Sequence, residues 1–284
     1  YLQNEWKNKT WSFLLGWRID KHNLIRHAIF SPRVNLRYNP TENINLRASY
    51  SSGFRAPQAF DEDLHVGFAG GERIVTRLAS GLKEERSHSF SLSADLYQTI
   101  GSVQTNFLIE GFYTHLTDVF ALRQLNTKDS EGNRVQERYN GSGAKVLGLN
   151  LEGKAAFTSW FQLQAGMTLQ QSRYDEETEW DEDAPKVKKF MRTPSAYGYF
   201  TASFTPLKNL SASLSGNYTG RMLVGHAKHT LEDGTEVGPE AVDTPAFFTL
   251  NTKLAYNIRL SDYVKLELNA GIQNLTNAGL TTNK

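Results

Sequence analysis

Leu210-Ser211-Ala212-Ser213-Leu214-Ser215-Gly216-Asn217-Tyr218-Thr219 places apolar or small residues at every even position and hydroxyl or amide residues at every odd one. Successive side chains of a β-strand point to opposite faces, so this stretch has one apolar face and one wet face. The alternation recurs along the chain. Val264, Leu266, Leu268, Ala270 and Ile272 are interleaved with Lys265, Glu267 and Asn269, and Phe161, Leu163, Ala165, Met167 and Leu169 with Gln162, Gln164, Thr168 and Gln170. A soluble sandwich could use this pattern with its apolar face turned inward. Here the apolar series often ends in aromatic residues at strand margins, while the polar series carries full charges. That combination predicts an all-β outer-membrane barrel, with lipid outside and a hydrated lumen inside.

Composition narrows the alternatives. The 284 residues include no cysteine, which excludes a disulfide framework, a thiolate metal site and a cysteine nucleophile. A formal net charge of +1 gives no support to nucleic-acid binding. The mean hydropathy of −0.49 and the lack of a long apolar run exclude a transmembrane helix, but barrel strands hide their hydrophobicity in alternation. Twelve Tyr and five Trp suit bilayer interfaces, where a ring is half apolar and half wet. Because a barrel must be exported, the natural N-terminus is expected upstream of Tyr1.

Turn signals divide the chain into about a dozen strands. The expected spans include 45–55, 87–98, 103–124, 135–157, 161–173, 195–205, 210–226, 247–258 and 264–273. Short connections such as Asn8-Lys9, 206–209 and 259–263 alternate with long ones at 56–86, 175–192 and 227–246. Segregated loop length is the layout of bacterial barrels, with short turns periplasmic and long loops extracellular. Charges fall on the polar series at Arg47, Glu152, Lys154, Lys253, Lys265 and Glu267, and also at Glu110, although Leu108 and Phe112 share its side. An ion facing lipid would cost several kcal/mol, so these residues are expected to line the lumen and face whatever fills it.

Specific motifs then appear. Ser51-Ser52-Gly53-Phe54-Arg55-Ala56-Pro57 resembles the Gly-aromatic-Arg-Ala-Pro signature of TonB-dependent outer-membrane receptors. Gly81-Leu82-Lys83-Glu84-Glu85-Arg86-Ser87 resembles that family's Leu-x-Pro-Glu-x-Ser, with Glu84 where Pro is commoner, a departure similar to Bacteroidetes members. Arg192-Thr193-Pro194 with Tyr197-Gly198-Tyr199, then Tyr218-Thr219-Gly220-Arg221-Met222, and finally Gly271-Ile272-Gln273-Asn274-Leu275-Thr276-Asn277 follow in the family's order. The resemblance covers nearly the whole chain. It implies a transmembrane antiparallel barrel of roughly 22 strands, of which residues 1–284 supply part, with the plug, the early strands and the final strands outside this sequence. It further implies the outer membrane of a Gram-negative bacterium and active uptake of a scarce nutrient: an iron chelate (siderophore), haem or cobalamin. The partners it implies are the chain's own plug, the TonB complex acting through a segment before Tyr1, and the surrounding membrane lipid with its lipopolysaccharide.

In such receptors, ligand contacts belong on the long loops and the upper inner wall. Arg55 with the downstream His65 invites a haem reading, because the resemblance extends to the family's haem receptors, which pair such a box with a downstream loop histidine, and neutral imidazole binds iron. The competing reading makes the box structural, with Arg55 anchoring the loop against Asp61-Glu62-Asp63, and this is preferred because the box does not discriminate substrates. Arg221, Met222, His226 and His229 stand where an anionic chelate could meet fixed cations, against the plainer reading of a chance His-x-x-His. Trp180 lies in an acidic run, 175–183, that reads as a solvated loop without calcium spacing. No metal site, resident cofactor or catalytic residue is assigned: there is no His-Glu-x-x-His, no Gly-x-Ser-x-Gly and no phosphate loop. Two rival functions remain, a passive porin-like channel and a soluble glycan-binding β-protein.

Overall fold

The structure is a computed structural model and describes residues 1–58, 74–180, 183–226, 228–230 and 236–279. In chain order its strands are β1 (Leu2–Lys7), β2 (Trp11–Asp20), β3 (Ile29–Thr41), β4 (Ile44–Arg55), β5 (Ile74–Leu78), β6 (Glu85–Ile100), β7 (Val103–Thr117), β8 (Phe120–Lys128), β9 (Arg134–Asn140) and β10 (Ala144–Ala156). They continue as β11 (Phe161–Thr178), β12 (Val187–Lys189), β13 (Ala196–Leu207), β14 (Leu210–Thr219), β15 (Leu223–His226), β16 (His229–Thr230), β17 (Glu236–Val237), β18 (Glu240–Asp243), β19 (Phe247–Arg259) and β20 (Lys265–Ile272). Twelve of these pair in the order β1-β2-β3-β4-β6-β7-β10-β11-β13-β14-β19-β20, with β12 on the side of β11. Every pairing along this sheet is antiparallel, and β1 and β20 are its two edges.

One register runs through the whole sheet. From β6 to β11 the pairs Leu92↔Gly111, Gly111↔Leu149 and Leu149↔Leu169 keep the apolar series on one face. From β14 to β20 the pairs Ala212↔Leu254, Tyr256↔Leu268 and Ile258↔Leu266 do the same. Because side-chain direction has period two, Arg47, Glu110, Glu152, Lys154, Lys253, Lys265 and Glu267 all fall on the opposite face. That face is laced with hydroxyl and amide contacts: Ser49 Oγ to Ser91 Oγ at 2.7 Å, Thr168 Oγ1 donating to Asn150 Oδ1 at 2.8 Å, and Gln164 Nε2 donating to the Tyr199 hydroxyl at 2.7 Å. The apolar neighbours of Glu110 are also accommodated. A Cβ on Gly148 would stand under 3.0 Å from the Phe112 ring, so the glycine provides the bed on which that ring lies.

The apolar face is not a core. Leu92 is 67% exposed and Leu268 52%, and the buried apolar residues among the described ones are few. A soluble sandwich would bury such a face, whereas a bilayer supplies its apolar partner. Aromatic residues rim the face at both ends. Tyr50, Phe90 and Tyr113 are cross-strand neighbours at the long-loop end, and Trp11 stacks on Tyr38 at the short-turn end.

Three long strands expected from sequence are each broken in two. The 103–124 span divides between β7 and β8 at Asp118, which takes a positive φ of 54°. The 135–157 span divides into β9 and β10 at Gly141-Ser142-Gly143, and 210–226 divides into β14 and β15 at Gly220-Arg221-Met222. Alternation persists through each break, but the chain leaves the main sheet there. β8 and β9 pair with each other, and β5 joins β9 in parallel as a small separate sheet. After β20, Asn274 and Asn277 close a turn in the left-handed region that Asn tolerates (φ 51° and 48°), and the Asn274 amide donates to the Ala278 carbonyl.

Candidate functional site at the long-loop end

A cavity of about 830 Å³ opens over the polar face at the long-loop end of β4, β8, β9 and β11. Arg55 stands on its floor at the last position of β4. Its Nη2 lies 3.0 Å from Glu85 Oε2 on the neighbouring strand, and the same oxygen accepts the Phe120 backbone N–H at 3.0 Å. The guanidinium also sits 5.0 Å from the centre of the Phe120 ring, a cation–π contact. One carboxylate thus ties β4, β6 and the start of β8 together, and leaves the Arg55 side chain 46% exposed. Tyr139, Tyr174 and Trp180 give the cavity aromatic walls, and Lys186 with Glu176, Glu177 and Glu179 gives it charge of both signs.

Trp180 joins two loops. Its Nε1 donates to the Pro185 carbonyl at 3.1 Å, and a Cβ on Gly225 would stand under 3.0 Å from its ring. The glycine therefore lets β15 press flat against the indole. The loop bases are fixed by polar clamps. Asn140 accepts the Lys83 N–H at 2.8 Å and donates to the carbonyls of Lys83 and Asp118. Glu84, in the position where the receptor motif more often has Pro, is buried with its side chain only 4% exposed. It contacts His27 Nε2 at 3.0 Å and the Arg86 guanidinium at 2.8 Å. Burial pushes its carboxyl up, but its own backbone N–H, Arg86 and His27 outweigh burial and hold it below the ordinary value of 4.5.

Of the ligand residues expected from sequence, Arg55 and Trp180 come together in this cavity. Arg221 is exposed beside the buried Met222, whose backbone exchanges hydrogen bonds with Thr244 at the base of the β15–β18 hairpin. His226 ends β15 opposite Glu240. His229 pairs through its backbone with Val237, and its side chain lies outside the described residues, as do His65 and Asp61-Glu62-Asp63. Sequence reading passed over Phe120, Tyr139, Tyr174 and Glu85. Tyr174 was within reach, because it continues the polar series Gln164, Thr168, Gln170 and Ser172 of β11.

Comparison with known proteins matches the fold. The family model described as "TonB dependent receptor-like, beta-barrel" matches residues 1–275. Similar solved structures include the FrpB iron transporter from Neisseria meningitidis, F3-3 variant (TM-score 0.65, 17% identity, covering 97% of this chain and 40% of that one). The siderophore receptor PirA from Pseudomonas aeruginosa aligns with a TM-score of 0.67 at 15% identity, over 96% of this chain and 43% of that one. A G324V mutant of the ferric enterobactin receptor PfeA, also from Pseudomonas aeruginosa, aligns at 0.65 and 17% identity, over 95% and 38%. The chain thus spans about two fifths of the length of these structures, and at such identities the likeness concerns the fold. Comparison with curated proteins gives no match. With its register, its two unlike faces and a family match over residues 1–275, this chain belongs to the TonB-dependent receptor-like β-barrel family.

Proposed function

We propose that this chain forms barrel wall and outer loops of an outer-membrane receptor that takes up an iron chelate of the siderophore class, driven by the TonB complex. The observation that carries the reading is the long-loop cavity, where Arg55, Tyr139, Tyr174 and Trp180 converge. Its volume suits a small chelate, its aromatic faces suit flat apolar surfaces, and its charges of both signs, Arg55, Arg138 and Lys186 beside Glu176, Glu177 and Glu179, suit a ligand with polar groups of either kind. The charged polar face, from Arg47 and Glu110 through Glu152 and Lys154 to Lys253, Lys265 and Glu267, lines the lumen and meets the plug. A lumen with ions of both signs calls for a polar, complementary filling. Haem and cobalamin are the competing cargoes.

The test is uptake of labelled ferric siderophores, haem and cobalamin by cells with and without a working TonB system, together with single-channel recording of the purified receptor. The expected result is uptake of a ferric chelate that stops without TonB, with no steady open-pore current. Replacing Arg55 or Trp180 by Ala lowers chelate binding while insertion stays normal. Uptake that persists without TonB, with a steady current, would make the protein a passive channel.

A further inference from the structure

Strands β3 and β4 carry four arginines and no Asp or Glu. The register pairs Arg33 with Ser51 and Arg37 with Arg47, so Arg33, Arg37, Arg47 and Arg55 all stand on the polar face. Arg55 is on the floor of the long-loop cavity. Arg47 lies nearer the short turns, about 21 Å deeper at a rise of about 3.4 Å and a tilt of about 40°. Its row continues across β3, β4, β6 and β7 as Arg37, Arg47, Ser93 and Glu110. Like charges placed directly opposite, as Arg37 and Arg47 are, repel unless an anion joins them. A recess of about 230 Å³ opens beside them, lined also by Asn35, Ser49, Ser93 and Glu110. Arg47 Nε donates to Asn45 Oδ1 at 2.8 Å. Arg37 has no such outlet: its Nε is buried without a hydrogen-bond partner, and it pairs with no carboxylate among the described residues. A buried guanidinium N–H left unpaired is costly, so its position calls for an acceptor inside the recess. The neighbouring carboxylates do not supply one. Glu5 accepts the Ser12 hydroxyl at 2.7 Å, and Asp95 is taken up by Tyr97 and Asn106. The Glu110 side chain, at the far end of the row, has no hydrogen bond or ion pair among the described residues.

We propose that this recess binds inorganic phosphate in its singly protonated form, hydrogen phosphate. The inference rests on the polar face lining the lumen and not on the cargo. Two guanidinium forks offer the parallel N–H donors that a tetrahedral oxyanion accepts best, and the Ser93 hydroxyl between Arg47 and Glu110 can donate or accept. Glu110 selects the species. An ionised carboxylate only accepts hydrogen bonds, so it repels a fully deprotonated oxyanion and receives the single O–H of hydrogen phosphate. Sulfate and simple carboxylates carry no O–H at neutral pH. A phosphate monoester is mostly dianionic there and offers none either. Arg33, farther up the same face, completes the charge balance: three cations offset Glu110 and a dianion. The recess is larger than phosphate by the room of a few waters, at roughly 30 Å³ each, so the anion keeps part of its hydration. The arginines of β3 and β4 then form a lane of positive potential that leads the anion from the long-loop cavity down to the recess.

The experiment uses the intact receptor, purified in detergent and freed of phosphate by dialysis. Equilibrium dialysis with radiolabelled inorganic phosphate at neutral pH reads binding, with sulfate, acetate and glycerol phosphate as competitors. The variants are R37Q/R47Q, the charge-preserving R37K/R47K, E110Q and, as a control elsewhere on the polar face, K253Q. The gel-mobility shift of heated against unheated barrel checks folding. We expect saturable phosphate binding by the wild type and K253Q, with sulfate and glycerol phosphate on the order of tenfold weaker and acetate weaker still. R37Q/R47Q should bind phosphate at least roughly a hundredfold more weakly, since two charge-assisted contacts are lost, and R37K/R47K should recover part of it. E110Q should bind sulfate as well as it binds phosphate, a loss of selectivity that a merely structural role for Glu110 would not produce. No saturable binding by the wild type below about 1 mM, equal binding by R37Q/R47Q, or an undiminished preference for phosphate in E110Q would overturn the proposal. Acetate or glycerol phosphate competing as well as unlabelled phosphate would overturn the assignment of the anion. If R37Q/R47Q does not fold, the selectivity of E110Q decides. Neither TonB nor uptake enters this measurement, so its failure leaves the chelate reading standing, and a receptor that binds phosphate yet takes up no chelate refutes that reading alone.

Discussion

Replacing Leu151 by Arg tests the assignment of faces directly. Leu151 lies midway along β10 between Ile109 and Met167 of the flanking strands, and its side chain belongs to the apolar series. It stands about halfway between the long-loop end of β10 and the short turns, close to the bilayer midplane. A guanidinium there must leave water or thin the bilayer locally, at a cost of about 2–4 kcal/mol in barrels of this kind. Glu152, the next residue, points the other way, and Glu152→Arg exchanges one hydrated charge for another at a cost of under about 1 kcal/mol. Equilibrium unfolding in urea of the protein inserted in phospholipid vesicles measures both, with insertion verified beforehand. Two results would refute the reasoning: Leu151→Arg within about 0.5 kcal/mol of wild type, or Glu152→Arg costing as much as Leu151→Arg. The first means that the face meets water, the second that the register is slipped by one residue.

Gly148→Val should destabilise the barrel by about 1–3 kcal/mol, because its Cβ would collide with the Phe112 ring and the Leu169 carbonyl; a second substitution, Phe112→Ala, should recover part of the loss in the same urea assay. Cysteine introduced at Glu177 should react with an impermeant maleimide on intact cells, and cysteine at Asp262 in the short turn between β19 and β20 should not; the reverse pattern would invert the topology. The Glu84 carboxyl is held below 4.5 in the fold, so its contribution is complete above that pH and lost as pH falls through the lower folded-state value. Hydrogen exchange at 83–86 should accordingly rise below about pH 4.5 in wild type, whereas Glu84→Gln should show faster exchange at neutral pH and no such step.

Most of the wall was legible because a strand between lipid and water obeys a single rule. Most residues in the middle of β6, β7, β10, β11, β14, β19 and β20 answer to one of two solvents, so parity alone assigned Lys253, Lys265 and Glu267 to one face and Leu254, Leu266 and Leu268 to the other. The rule ends where the strands leave the bilayer. Alternation continues from β7 into β8 and from β9 into β10, yet those small strands belong to a sheet of their own, and nothing in the polarity pattern marks the departure. The signals were local and conformational: a positive φ at Asp118, and glycines at 141 and 143. Gly143 permits close passage, since a Cβ there would crowd the Leu116 carbonyl.

The same boundary explains why the wall and the site differ in kind. A barrel has no apolar core with which to hold its loops, since one face is committed to lipid and the other to water. Loop geometry must then come from directional polar contacts anchored at the rim, where the low dielectric of the bilayer is near and each contact is worth more than in open water. Asn140, Glu84 and Glu85 are such anchors. Each joins segments distant in sequence: Asn140 to Lys83, Glu84 to His27, and Glu85 to Arg55 and Phe120. These contacts set the positions of Arg55 and the loop aromatics, which no periodicity predicts. A loop cavity held this way can change by loop substitution alone while the wall beneath keeps its alternation. The polarity pattern thus specifies the wall, while the few rim contacts that place the loops leave no trace in it.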